Sequence, residues 1–132
     1  MNLSFTISLT PVTKKNSGRI VMCGRRPMLL PSEAYKRYEK DAGWFLKKYA
    51  GMNIDYPVNV KCLFYMPTRR RVDQGNLVNA IDDILVHYNV LEDDNRDIIV
   101  GHDGTRVFWD KDNPRCEIEI TSVDGYEQWK KK

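Results

Sequence analysis

Near its start the chain alternates: Leu3, Phe5, Ile7 and Leu9 are apolar, and Ser4, Thr6 and Ser8 between them are polar. A period of two places every apolar side chain on one face of a strand, and Pro11 ends it. The alternation returns at Val58, Val60, Cys62 and Phe64, closed by Met66-Pro67, and again where Cys116, Ile118 and Ile120 alternate with Glu117, Glu119 and Thr121. Strands are therefore predicted over Val58 to Met66 and across the Cys116 to Thr121 segment. Between them the spacing turns helical. Tyr35, Tyr38, Ala42, Phe45 or Leu46, and Tyr49 form one amphipathic stripe of about four turns, read as core rather than as a stacking platform. Leu77, Ile81, Ile84, Leu85 and Tyr88 form a second.

The segments between these elements carry turn chemistry. Pro31-Ser32 marks a helix start, with Ser32 able to cap and Glu33 favoured by the dipole in the first turn. Arg19-Ile20-Val21-Met22 and Pro27-Met28-Leu29-Leu30 flank Gly24-Arg25-Arg26, a short hairpin with a basic tip that either touches nucleic acid or keeps an edge ribbon soluble. Gly51 to Pro57 reads as a linker. Ile98 to Phe108 reads as one strand bulged at Gly101 or Asp103-Gly104, with a tight hairpin as the alternative. Asp110 to Pro114 is a loop, and Tyr126 to Lys132 a short polar end. Strands and helices in this mixture predict a single α+β domain spanning residues 1–132.

Composition changes this picture little. A length of 132 residues suits one core, and 42% hydrophobic with 30% charged residues is ordinary for a globular protein. The net charge of +3 is too small for long-range attraction of polyanions, so affinity for nucleic acid rests on local clusters of the 21 Lys and Arg. Cys23, Cys62 and Cys116 lack paired zinc-ligand spacing and read as buried free thiols of a reducing cytosol. No apolar run approaches a membrane span. A cytoplasmic protein without membrane attachment is expected.

The chemistry concentrates in one stretch. Arg69-Arg70-Arg71 is followed by Asp73, then by Asp82-Asp83 within the second helix and by Glu92-Asp93-Asp94 after it. Arginines attract phosphate and carboxylates repel it, so the two belong together where a cation mediates between them. Asp73 sits between a strand and a helix, and Asp94 between that helix and the apolar Ile98-Ile99-Val100. Two element ends packed side by side would bring both carboxylates to one Mg²⁺, a hard ion that takes oxygen ligands. Asn76, about one turn from Asp73, lies within reach of the same ion, whereas Asp83 is about 15 Å further along the helix. Lys14, Lys15 and Asn16, in a polar turn after the first strand, are candidates to hold phosphate. Each feature has a plainer reading: Asp73 as a helix N-cap, Asp93-Asp94 as a charged turn, and the lysines as a solvated turn. Both histidines, His87 and His102, read as surface residues rather than ligands, since a Mg²⁺ site wants oxygen, though His102 could approach phosphate.

These residues together resemble the RusA-like Holliday junction resolvases. The resemblance lies in the basic run Arg69-Arg70-Arg71, in Asp73-x-Gly75-Asn76-Leu77 opening a helix, in Asp83 late in that helix, and in Asp93-Asp94 before a strand. Pro11-Val12-Thr13-Lys14-Lys15-Asn16 and Pro31-Ser32 add to it. Gly75 stands where the family has its second aspartate and Asn79 where it has a lysine. The resemblance implies a small mixed sheet of about four to five strands with two main helices packed on it. It also implies an endodeoxyribonuclease dependent on Mg²⁺, with Mn²⁺ able to substitute, which works as a homodimer and resolves four-way DNA junctions in recombination and repair. Asp73 and Asp94 would be catalytic and, with Asn76, bind the metal. Lys14, Lys15, Asn16, Arg69, Arg70 and Arg71 would hold the DNA. The two departures leave a second expectation open, a branched-DNA-binding module of the same fold with weak or lost cleavage.

Overall fold

Among the described residues nine elements follow one another in the order β1 (Asn2–Ile7), β2 (Arg19–Cys23), β3 (Arg26–Leu30), α1 (Glu33–Leu46), β4 (Val58–Met66), α2 (Gln74–His87), β5 (Ile99–Gly101), β6 (Arg106–Trp109) and β7 (Arg115–Ser122). The structure, a computed structural model, describes residues 2–14, 19–24, 26–30 and 33–124, with the backbone alone at 19–23 and 26–30. The predicted caps at Pro31-Ser32, the polar end from Tyr126 and the hairpin tip at Arg25 lie outside the described residues.

A mixed sheet is built on β4. One edge of that strand pairs antiparallel with β7 along its whole length, from Val58 opposite Ser122 to Tyr65 opposite Arg115. β1 then pairs antiparallel with the far side of β7. Its other edge takes β5 at Val58 and Asn59 and β6 at Leu63 to Met66, both parallel. The molecule is thus α+β, with a five-stranded mixed sheet, two helices and a separate antiparallel ribbon of β2 and β3, as the alternation around Gly24 predicts.

Register explains the core. Val60 faces Ile120, Cys62 faces Ile118 and Phe64 faces Cys116, so the buried sides of two alternating strands coincide. Tyr35, Tyr38, Ala42 and Leu46 of α1 and Leu77, Ile81, Ile84 and Leu85 of α2 complete one continuous apolar cluster with them. The opposite sheet face, with Lys61, Leu63, Glu117 and Glu119, is only half-buried. Burial of this aliphatic set supplies the main drive to fold, roughly 25 cal/mol for each Å² of apolar surface removed from water. Cys62 and Cys116 are buried free thiols. No helix of the described residues is long and apolar enough to cross a membrane.

Several boundaries differ from the sequence reading for identifiable reasons. Regular pairing of β1 stops at Ile7, before the apolar Leu9. α1 ends at Leu46, which is buried, while Tyr49 lies beyond it with its ring 5.1 Å from that of Phe5. α2 starts at Gln74, earlier than its apolar stripe, because Asp73 caps it: the carboxylate Oδ1 accepts the amides of Gly75 at 2.8 Å and Asn76 at 3.4 Å. The Gly51 to Pro57 segment is pinned, with the amides of Asn53 and Ile54 donating to the carbonyls of Asn89 and Val90. Gly43 permits close contact at the end of α2. A Cβ there would lie 2.6 Å from the Tyr88 hydroxyl, which donates to the Glu39 carbonyl at 2.6 Å.

Candidate functional site

α2 organises the polar surface because its two ends and one flank each carry different chemistry. At its start, Asp73 is exposed, with Oδ1 committed to the helix amides. Its second oxygen has no hydrogen-bond partner among the described residues. Asn76 is half-buried one turn on, and Gly75 leaves that turn without a side chain. Arg69, Arg70 and Arg71 precede Asp73 and are all exposed. The Arg69 guanidinium lies over the Trp109 ring, 4.2 Å from its centroid, a cation–π contact that fixes it at the end of β6.

Toward the other end of the helix stands Asp83. Lys14 Nζ lies 3.0 Å from its Oδ2 and 5.5 Å from the centre of the Tyr35 ring. Both partners of this ion pair are partly exposed, so it stabilises the fold little. It does bring the β1–β2 loop onto α2.

Asp94 is exposed in the turn that follows α2. Its carboxyl pKa is raised, first by partial desolvation, then by a side-chain hydrogen bond with Asp93 and by the negative charges of Asp83 and Asp93. Asp93 is lowered instead, because it accepts the Asp94 amide at 2.7 Å and the Asn95 side chain at 3.1 Å. Asp83, which helix rise separates from Asp73, is therefore the α2 carboxylate whose field reaches Asp94, and Asp73 is not among the groups that shift it. Among the described residues no three His, Cys, Asp or Glu converge as a ready-made metal cage. Lys15 and Asn16 lie outside the described residues.

On the flank of α2 facing the sheet edge, the structure adds a pair that sequence reasoning missed. Asp82 is buried, and His102 Nε2 lies 2.9 Å and 3.1 Å from its two carboxylate oxygens. Burial raises the Asp82 pKa against the pull of His102. The carboxylate in turn raises the imidazole's pKa more than burial lowers it. The signal was in the spacing: Asp82 falls one turn after Val78 and three residues before Leu85, on an apolar flank where a lone carboxylate requires a partner.

A small α+β domain that gathers carboxylates, arginines and a lysine around one helix belongs to the class of proteins equipped to handle a polyanion. Comparison with known families makes this specific. The model described as Endodeoxyribonuclease RusA matches residues 9–121, and the chain belongs to that endodeoxyribonuclease family. No curated protein matches the chain.

Proposed function

We propose that this protein is a divalent-metal-dependent, structure-specific endodeoxyribonuclease that resolves four-way DNA junctions by paired nicks in recombination and repair, acting in the cytoplasm as a homodimer. The observation that carries the reading is Asp94: a solvent-exposed carboxyl crowded by Asp93 and Asp83, in a chain matched to a nuclease family over most of its length. Carboxylates that repel one another at a surface are relieved by a cation.

The donor set suits Mg²⁺ in kind. Asp73, Asp94 and Asn76 offer hard oxygens, and Mg²⁺ is commonly held by one or two carboxylates, waters and substrate phosphate rather than by an all-protein cage. When bound, such an ion activates water and neutralises charge building on the scissile phosphate. Asp73 has one oxygen left after capping, and Asp94 has both its charge and its exposure. Lys14 balances Asp83, so the excess negative charge beside Asp94 is tempered and a phosphate can approach. Lys14, Lys15, Asn16 and Arg69 to Arg71 hold the DNA backbone and position it without reading sequence. Two-fold symmetry in a homodimer matches the symmetry of a four-way junction.

A second reading is favoured by Gly75 and Asn79, which supply neither carboxylate nor cation on the first two turns of α2: a module that binds branched DNA with weak or lost cleavage. A synthetic mobile junction incubated with Mg²⁺ or Mn²⁺ separates them. Paired nicks by the wild type, lost in Asp94→Asn with binding retained, support the nuclease. Salt-sensitive junction binding without nicks under either ion supports the module.

A further inference from the structure

The edge of the sheet beside α2 is interrupted between β5 and β6, and the interruption is built rather than loose. Thr105 is buried, and its hydroxyl accepts the Cys62 amide at 3.1 Å. The Asn59 side chain accepts the Asp103 amide at 2.8 Å and donates to the Asp103 carbonyl at 3.2 Å. Thr105 thereby supplies the partner that the β4 backbone lacks at Cys62, and Asn59 satisfies the backbone of Asp103 in the turn. The turn is closed by the Thr105 amide on the His102 carbonyl at 3.1 Å and passes through Gly104 at φ +90°. Its result is that His102 leaves the sheet and reaches Asp82 on α2.

Between this turn and the first two turns of α2 lies an open groove of about 630 Å³, lined by Gln74, Gly75, Asn79, His102, Gly104 and Arg106, among others. It begins beside Asp73 and Asn76. Gly75 and Gly104 keep its walls low, and Arg106 is exposed along it with one guanidinium nitrogen anchored on the Thr105 carbonyl at 2.7 Å. Imidazole Nε2 is occupied by Asp82, and Nδ1 has no hydrogen-bond partner among the described residues.

We propose that this groove is a phosphate subsite, in which His102, oriented by Asp82, donates from Nδ1 to a DNA backbone phosphate and Arg106 contacts the same strand. The charged groups acting on the imidazole are Asp82 from α2 and Asp103 from the turn, both of which favour its protonated form. Arg106 is the groove's other cation. A contact to phosphate carries no sequence information by itself; it places the backbone beside the Asp73 end of the helix. The subsite rests on the nucleic-acid reading of the surface but not on cleavage.

The test measures affinity for a plain DNA duplex and for a four-way junction across a salt series at pH 6.5, for full-length wild type, His102→Gln, Arg106→Gln and, as a charge control, Lys48→Gln. Loss of one charge-assisted contact should weaken binding roughly tenfold and lower the salt slope by about one in the first two variants but not in the control. Repeating wild type and His102→Gln at pH 9 should shrink the difference between them, because rising pH removes the imidazole's proton. Unchanged affinity and slope in both variants, with a lowered melting temperature in His102→Gln, would show a structural staple only and overturn the subsite. Arg106→Gln changes an exposed side chain, so it reports even if His102→Gln folds poorly. His102-dependent duplex binding without junction cleavage by the wild type sinks the nuclease and leaves the subsite standing. Cleavage with unaltered variant binding does the reverse.

Discussion

Asp73 combines two roles that substitution can separate. As an N-cap it satisfies two of the amides that open α2, and as an exposed carboxylate it is a proposed ligand. Asparagine caps about as well as aspartate, whereas alanine costs about 1 kcal/mol. Asp73→Ala should therefore lose about that much in a urea melt and Asp73→Asn almost nothing, while both lose junction cleavage. Wild-type cleavage by Asp73→Asn would reduce Asp73 to a cap. The Asp82–His102 pair makes a different prediction, about pH. The pKa of His102 is raised by the carboxylate, so its contribution is complete below the unfolded histidine value of about 6.5 and is lost as pH rises through the higher folded value. Asp82, also raised, acts in the same direction but its effect starts lower, from the unfolded carboxylate value of about 3.9 upward, because burial disfavours its ionised form. Wild-type stability should fall from pH 6.5 upward more steeply than that of Asp82→Asn, read as the urea midpoint across pH 6 to 9. Parallel curves would mean that the pair does not titrate with folding.

The broken strand along β4 shows how one element can be bent toward a site. A continuous strand there would present His102 on the sheet; the turn at 102–105 lifts it onto the helix instead. Thr105 is the test of that design, since its hydroxyl accepts a buried backbone amide. Thr105→Val keeps the shape and removes the acceptor, which leaves the Cys62 N–H unsatisfied at a cost of about 1 to 3 kcal/mol, whereas Thr105→Ser should stay within a few tenths. Thermal melts of the two variants distinguish this from a packing effect, in which serine would be the worse substitution. The same region marks the limit of what the sequence discloses. β4 was legible to the residue, because alternating apolar side chains, a closing proline and burial on one face all report the same period. Ile98 to Phe108 suggested a single bulged strand, and the structure keeps that path along one edge while splitting it into β5 and β6. The split depends on Asn59 and Thr105, side chains from two segments whose hydrogen bonds no local period encodes.

At the scale of the molecule, what the sequence could not supply was distance between elements. Asp73, Asp83, Asp94 and the arginines were each readable as unusual, because carboxylates beside a basic run act on a phosphate in opposite senses unless a cation joins them. Which carboxylates share a field was not readable: it depends on how the turn after α2 folds back, and it is Asp83 that acts on Asp94. His102 was equally opaque, since its partner lies on a flank that the apolar stripe made look like plain core. The fold itself does not depend on a cation, because the sheet and both helices close over one apolar cluster. Chelation should therefore leave the melting curve of metal-free protein intact, while added Mg²⁺ should raise it. Ten times the dissociation constant stabilises by about 1.4 kcal/mol, roughly 4 °C for a domain of this size. Asp94→Asn should lose most of that rise and Asp82→Asn should keep it, because both carboxylate oxygens of Asp82 are engaged by His102. Equal Mg²⁺-induced shifts in wild type and Asp94→Asn, measured by differential scanning calorimetry, would place the ion elsewhere and remove Asp94 from the chemistry.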